Sequence, residues 1–237
     1  MSVLEVRDLR RSFGGIEAVA GVSFALEEAE ILGVIGPNGS GKSTVFNLLT
    51  GVVAPSSGDI RLRGKSIAGR KPYRIARAGI GRTFQIPALF TNMTVQGNLY
   101  AAIVEGDWKH APERAAQVLE LMNLTPVRDE LASSLSGGQQ RLLEFGRVLM
   151  RDPDVILLDE VAAGVHPTLR ATILGAVSEL QSQGKSFVVI EHDMELVRAI
   201  CQRVLVMDAG QVVAEGSFEQ IASDKGVVEA YLGVPVE

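Results

Sequence analysis

Nine consecutive residues, Gly36-Pro37-Asn38-Gly39-Ser40-Gly41-Lys42-Ser43-Thr44, set three glycines beside one lysine and three hydroxyl groups. Glycines without Cβ atoms let backbone N–H groups wrap a di- or triphosphate. Lys42 brings a point charge to the β- and γ-phosphates, and the Ser43 hydroxyl is placed for Mg²⁺. A helix starting at this point adds the positive end of its dipole. The spacing Gly36-x-x-x-x-Gly41-Lys42-Ser43 is that of the Walker A phosphate loop, so the expected ligand is a nucleotide. The loop alone says neither which nucleotide binds nor what the binding drives.

Two further groups carry chemistry. Asp159 and Glu160 close the apolar run Val155-Ile156-Leu157-Leu158. Asp159 can hold Mg²⁺ through its water shell, and Glu160 can polarise an attacking water. By spacing alone the two acids fit the solvated start of a loop equally well; the phosphate loop in the same chain decides for function. In Leu135-Ser136-Gly137-Gly138-Gln139-Gln140, Ser136 is a natural helix N-cap and two glycines leave the amides open to an anion. This is a second phosphate-recognition device, and a chain that binds one nucleotide has little use for it unless the two act in trans.

These groups need elements to hold them. Residues 3–6 and 22–26 alternate like half-buried strands, as does 59–63. Residues 31–35 form a short buried strand feeding the loop, and 42–50 read as a helix stopped by Gly51. From Pro87 to Asp152 strand-like runs disappear, and helical spacing of apolar residues recurs over 113–122 and 141–150. Residues 155–158 and 187–190 read as buried parallel strands, with one crossover helix between Pro167 and Gly184. Residues 203–207 and 211–215 form a closing hairpin, and 227–232 a docking terminal helix. The expected boundaries are 1–86 and 153–237 for an α/β nucleotide-binding core, with 87–152 as an inserted helical subdomain.

The 237 residues carry a net charge of −5, which disfavours nucleic acid or an anionic membrane surface as partner. Cys201 is the single cysteine and suits a reducing compartment. Mean hydropathy is +0.20, yet no uncharged apolar run is long enough to span a bilayer, and the first residues lack a signal-peptide core. Work at a membrane would therefore go through a partner.

The phosphate loop, LSGGQ and VILLDE, in this order and separation, resemble the ABC ATPase family across essentially the whole chain. The resemblance implies a P-loop NTPase (RecA-like) core with an N-terminal antiparallel β subdomain and an inserted helical one. It also implies ATP and Mg²⁺ as cofactors and hydrolysis in a head-to-tail dimer. There Ser136, Gly137, Gly138 and Gln139 of one subunit cover the γ-phosphate held by residues 36–44 of the other. By the same resemblance Phe13 stacks on adenine, Gln85 of Arg82-Thr83-Phe84-Gln85 contacts Mg²⁺ and water, and His192 senses the γ-phosphate. Ser43, Gln85 and Asp159 form the metal set; Glu160, His192 and Lys42 form the catalytic set.

Phe13-Gly14-Gly15, Phe46–Gly51, Gly81–Gln85, Leu89-Phe90, Ala162–Gly164, Ile190–Met194 and Glu229–Gly233 resemble ATPases of branched-chain amino acid importers. Cassettes for urea or short amides and the lipopolysaccharide-export ATPase share much of this wording. The implied partners are a second ATPase subunit, identical or not, integral membrane permeases near residues 85–100 and a solute-binding protein. The implied place is the cytoplasmic face of the inner or plasma membrane. The expected permease contacts are Ile86, Leu89, Phe90 and Met93. Three features depart from the family: Val161 where proline follows the glutamate, His166 where Asp or Asn is common, and a shortened stretch between Tyr100 and Leu124. An imidazole titrates near neutrality, so His166 could make subunit closure pH-sensitive.

Overall fold

The computed structural model describes residues 1–84, 87–103, 108–161, 166–224 and 226. The chain opens with a hairpin of β1 (Ser2–Phe13) and β2 (Ile16–Glu27), then runs through β3 (Ile31–Ile35) into α1 (Lys42–Leu49). Next come β4 (Ser57–Leu62), β5 (Lys65–Ser66), α2 (Pro72–Ala78) and β6 (Ile80–Arg82). A helical stretch holds α3 (Val95–Tyr100), α4 (Ala111–Leu121) and α5 (Gly137–Leu149). The described chain ends with β7 (Val155–Asp159), α6 (Pro167–Ser182), β8 (Ser186–Ile190), α7 (Met194–Ile200), β9 (Arg203–Asp208), β10 (Gln211–Gly216) and α8 (Phe218–Ser223).

Two sheets result. One is antiparallel with order β2-β1-β4-β5; the other runs β10-β9-β3-β8-β7-β6 and is parallel apart from β10. Successive side chains of a strand point to opposite faces, so each central strand of the parallel sheet feeds two cores. Leu32, Val34, Val155, Leu157, Val188, Ile190, Leu205 and Met207 face a core shared with β1, β2 and α1. Ile31, Ile35, Ile156, Leu158, Phe187, Val189, Val204 and Val206 face a second core shared with α3–α6. The N-terminal antiparallel sheet with α1 on one side, and helices α3–α6 on the other, thus cover opposite faces of one parallel sheet.

The strands at 31–35, 155–159 and 186–190, the α6 crossover and the β9–β10 hairpin lie where the hydrophobic pattern predicts them. Gly51 and Gly184 sit just past α1 and α6 with positive φ, as helix stops do. The opening strands are far longer than expected, at twelve residues each. The register shifts between Val6 and Leu9, where Asp8 has φ +44, and such bulges break the period of two that sequence patterning relies on. Ser136 caps α5 as expected, and a capping box with Gln139 carries the helix through Gly137 and Gly138, four residues before the apolar spacing begins at Arg141. The short elements β5, β6, α2, α3, α7 and α8 carry too little periodicity to be foreseen. The expected helix at 227–232 lies outside the described residues.

Candidate functional site

The phosphate loop leaves β3 at the C-terminal edge of the parallel sheet, where ligands of such sheets bind. It is clamped from both sides. Gly210 N–H donates to Ser40 O at 3.0 Å, and Ala20 N–H donates to Gly210 O at 2.8 Å. Gly36 has φ +151, and a Cβ there would lie 2.1 Å from the Met207 carbonyl oxygen. At Gly41, the N-cap of α1, φ is +104 and a Cβ would meet Ala18 O at 2.5 Å. No side chain caps α1, so its first N–H groups keep their capacity for an anion.

Lys42 is buried, and its ammonium donates to Gly36 O at 2.7 Å, Pro37 O at 2.8 Å and Ser40 Oγ at 3.4 Å. Burial pushes its pKa down, while the charges of Glu160 and Asp159 push it up. Both acids therefore lie within electrostatic reach of the loop lysine. Ser43 is exposed at the first turn of α1 and Thr44 is half-buried beside it. Pro37, Asn38 and Gly39 are exposed along the loop.

Strands β7 and β8 bring the remaining candidates to the same edge. Asp159 pairs in register with Ile190, and Glu160 N–H donates to Ile190 O at 3.0 Å. Glu160 has φ +51, a left-handed backbone that non-glycine residues adopt rarely. Its carboxylate lies 2.9 Å from His192 Nε2, which the chain reaches two residues beyond β8. Asp159 Oδ2 accepts from Arg82 Nη2 at 2.9 Å, and the Asp159 N–H donates to Thr83 Oγ1 at 3.3 Å. Three strand ends thus gather Lys42, Asp159, Glu160 and His192, which lie up to 150 positions apart in the sequence.

Residues 136–139 open elsewhere. Ser136 Oγ accepts from Gln139 N–H at 3.3 Å, and Gln139 Oε1 accepts from Ser136 N–H at 3.0 Å. A Cβ on Gly138 would lie 2.6 Å from Leu169 Cδ2, so the small residue lets α5 approach α6. The cap faces a groove of about 720 Å³ shared with His166, Thr168 and Leu169; no residue of 36–44 lines it. His166 caps α6, its Nδ1 accepting from Thr168 N–H at 3.4 Å. Phe13 stands half-exposed at the tip of the β1–β2 hairpin, with the Arg11 guanidinium 4.6 Å over its ring. Gln85 and Ile86, together with the matching stretches at 162–164 and 229–233, lie outside the described residues.

Two residues of this region escape sequence reading. Arg82 ends β6 against Asp159, and Glu144 of α5 accepts the Phe84 N–H at 2.9 Å although its side chain is buried. Burial pushes the Glu144 carboxyl up to about 7, against the pull of the Phe84 N–H, Arg147 and Arg141. Both line a groove of about 390 Å³ with Phe84, Ile75 and Arg147. Nothing local marks Arg82, whose partner is 77 positions away; a lone acid amid the apolar face of α5 was the available signal for Glu144.

Comparison with known proteins agrees with this geometry. The family model described as ABC transporter matches residues 19–163, and one described as branched-chain amino acid ATP-binding cassette transporter matches residues 211–237. The high-affinity branched-chain amino acid transport ATP-binding protein BraF of Pseudomonas aeruginosa is 41% identical, covering 98% of both chains. LivG of Escherichia coli, with the same descriptive name, is 39% identical over 98% of both. Among solved structures, a nucleotide-free ATP-binding cassette from an ABC transporter superposes with a TM-score of 0.88 at 35% identity, over 97% of this chain and 98% of its own. The ADP conformation of an ATP-binding cassette of an ABC transporter gives 0.87 at 35% identity, over 99% and 100%. This chain belongs to the ABC transporter family, as an ATP-binding ATPase cassette of its branched-chain amino acid group.

Proposed function

We propose that the chain powers import of branched-chain amino acids by hydrolysing ATP in a head-to-tail pair of cassettes. The observation that carries the hydrolytic part is the 2.9 Å contact of Glu160 with His192 at the sheet edge that also holds the phosphate loop and Asp159. The solute follows from the full-length relatives named above, which favour it over urea, short amides or lipopolysaccharide.

In this reading the amides of residues 36–44 and the Lys42 ammonium cradle the β- and γ-phosphates, and the open face of Phe13 takes the adenine. Glu160 orients a water in line with the γ-phosphorus and accepts its proton as the bond to the β–γ bridging oxygen breaks. His192 steadies the Glu160 carboxylate and the γ-phosphate oxygens. Positioning and charge stabilisation carry such a reaction. Mg²⁺ would neutralise charge on the β- and γ-phosphates, held by the Ser43 hydroxyl, Gln85 and, through water, Asp159. The donor set fits: hard oxygens stand at a strand end and a helix start, and among the described residues no three His, Cys, Asp or Glu side chains gather as a dedicated cage. A magnesium ion bound mainly by phosphates and water requires no such cage.

The groove before Ser136 is free of residues 36–44, so the signature of one subunit is assigned to the nucleotide of a second, identical or not. Residues 1–86 and 153–237 are assigned to the nucleotide core and 87–152 to the signature subdomain. No described helix is long and apolar enough to cross a membrane. In this reading, which rests on the likeness to branched-chain transport ATPases, the chain works at the cytoplasmic face against integral permeases, with a solute-binding protein delivering the amino acid. Phe90 and Met93 are exposed and remain permease contacts in this reading, whereas Leu89 packs against the core.

The test is Glu160→Gln in the purified protein. The variant should bind ATP and dimerise but release no phosphate, and the wild-type monomer should bind ATP yet hydrolyse it poorly. Wild-type turnover by Glu160→Gln would remove Glu160 from the reaction.

A further inference from the structure

Arg82 is built into the site more firmly than its place on an edge strand requires. Its side chain is 8% exposed and that of Asp159 12%, so this ion pair is largely out of water. One prong of the guanidinium, Nη2, donates to Asp159 Oδ2 at 2.9 Å, and the other, Nη1, donates to Asn47 Oδ1 at 2.7 Å. Its Cζ lies 5.5 Å from the Phe46 ring centroid and 5.1 Å from that of Phe84. Asn47 and Phe46 belong to the helix that follows the phosphate loop, and Phe84 directly precedes Gln85. The next residue, Thr83, is fully buried and takes the Asp159 N–H on its hydroxyl.

Stability alone accounts poorly for this arrangement. Buried ion pairs can often be replaced by apolar groups without loss. The Arg82 Nε is in addition buried with no hydrogen-bond partner among the described residues, which costs free energy. What the arrangement does achieve is orientation. A carboxylate gripped at one oxygen by a fork that is itself tied to Asn47 and set over two rings is restrained in its orientation. Partners of this kind behind metal-site groups set ligand direction and basicity.

We infer that Arg82 is a positioning residue for Mg²⁺–nucleotide: it acts through Asp159, holding that carboxylate in the orientation the metal-bound phosphates need. This rests on the assignment of Asp159 to the metal site, and the experiment separates the two.

The affinity of the full-length protein for a fluorescent ATP analogue is measured with saturating Mg²⁺ and again in EDTA, and the ratio is the readout. Asp159→Asn should lower the Mg²⁺-dependent gain about tenfold, and Arg82→Met should lower it by a similar factor. In both, the affinity in EDTA should stay within about twofold of wild type, since neither residue touches the phosphates. Arg82→Lys, which keeps the charge but loses the fork, should fall between Arg82→Met and wild type. The double variant Arg82→Met/Asp159→Asn should show no further loss beyond Asp159→Asn, because the two act as one unit. If Asp159→Asn loses the gain and Arg82→Met keeps it, the role of Arg82 is overturned and that of Asp159 stands. If Asp159→Asn keeps the gain, the metal-site assignment falls and the inference with it. Should Arg82→Met fail to fold, Arg82→Lys decides: an unchanged ratio overturns the inference, and a reduced one supports it.

Discussion

Glu144 offers a measurement of burial against charge. It sits in α5 with 5% of its surface exposed and accepts the Phe84 N–H at 2.9 Å. Burial moves its carboxyl from 4.5 to about 7, while Arg147 and Arg141 only partly oppose this. In the unfolded chain the group ionises near 4.5, so between that value and about 7 the folded chain holds the extra proton. The protonated group favours the fold below that window, and the advantage is lost as pH rises through the folded value. At about 1.4 kcal/mol per pH unit, roughly 3 kcal/mol is lost by pH 8. Glu144→Gln keeps an amide oxygen for the Phe84 N–H and cannot ionise. Urea unfolding of the two proteins should give matching stabilities near pH 4, below the window, and a glutamine variant more stable by about 3 kcal/mol at pH 8. A stability difference that is the same at both pH values would refute the reasoning. A glutamine variant less stable at pH 8 would mean that Arg147 and Arg141 outweigh burial.

Gly36→Ala places a Cβ 2.1 Å from the Met207 backbone oxygen, which cannot yield as a side chain end could. It should cost about 1–3 kcal/mol in unfolding and abolish ATP binding in a titration. Gly39→Ala meets no atom within 4 Å and should cost only the smaller penalty of its φ of +84, about 1 kcal/mol. His166 caps α6 through Nδ1 beside the Ser136 groove, and His166→Asn, which keeps a capping acceptor, should shift the urea unfolding midpoint little.

The phosphate loop was legible because its chemistry is local: nine adjacent residues bring glycine freedom, an ammonium and hydroxyls to one ligand. The strands at 31–35, 155–159 and 186–190 were legible because burial on both faces forces unbroken apolar runs. The opening hairpin was underread, since the bulge at Asp8 breaks the alternation that marks a strand. The cap of α5 was legible at Ser136, although the apolar spacing begins only at Arg141, because a capping box outweighs the propensity of Gly137 and Gly138.

Sequence by itself determined which residues could do chemistry, and its motif order was specific enough to imply the family. It could not say that Glu160 meets His192 at 2.9 Å, or that Asp159 is gripped by Arg82. Those are contacts between strand ends brought side by side by the order β3-β8-β7-β6, and strand order is set by sheet pairing and core packing across the whole chain. The burial that lifts the Glu144 carboxyl is likewise a property of helix against sheet. Local pattern assigns a residue its possible chemistry; the environment that tunes it comes from distant neighbours.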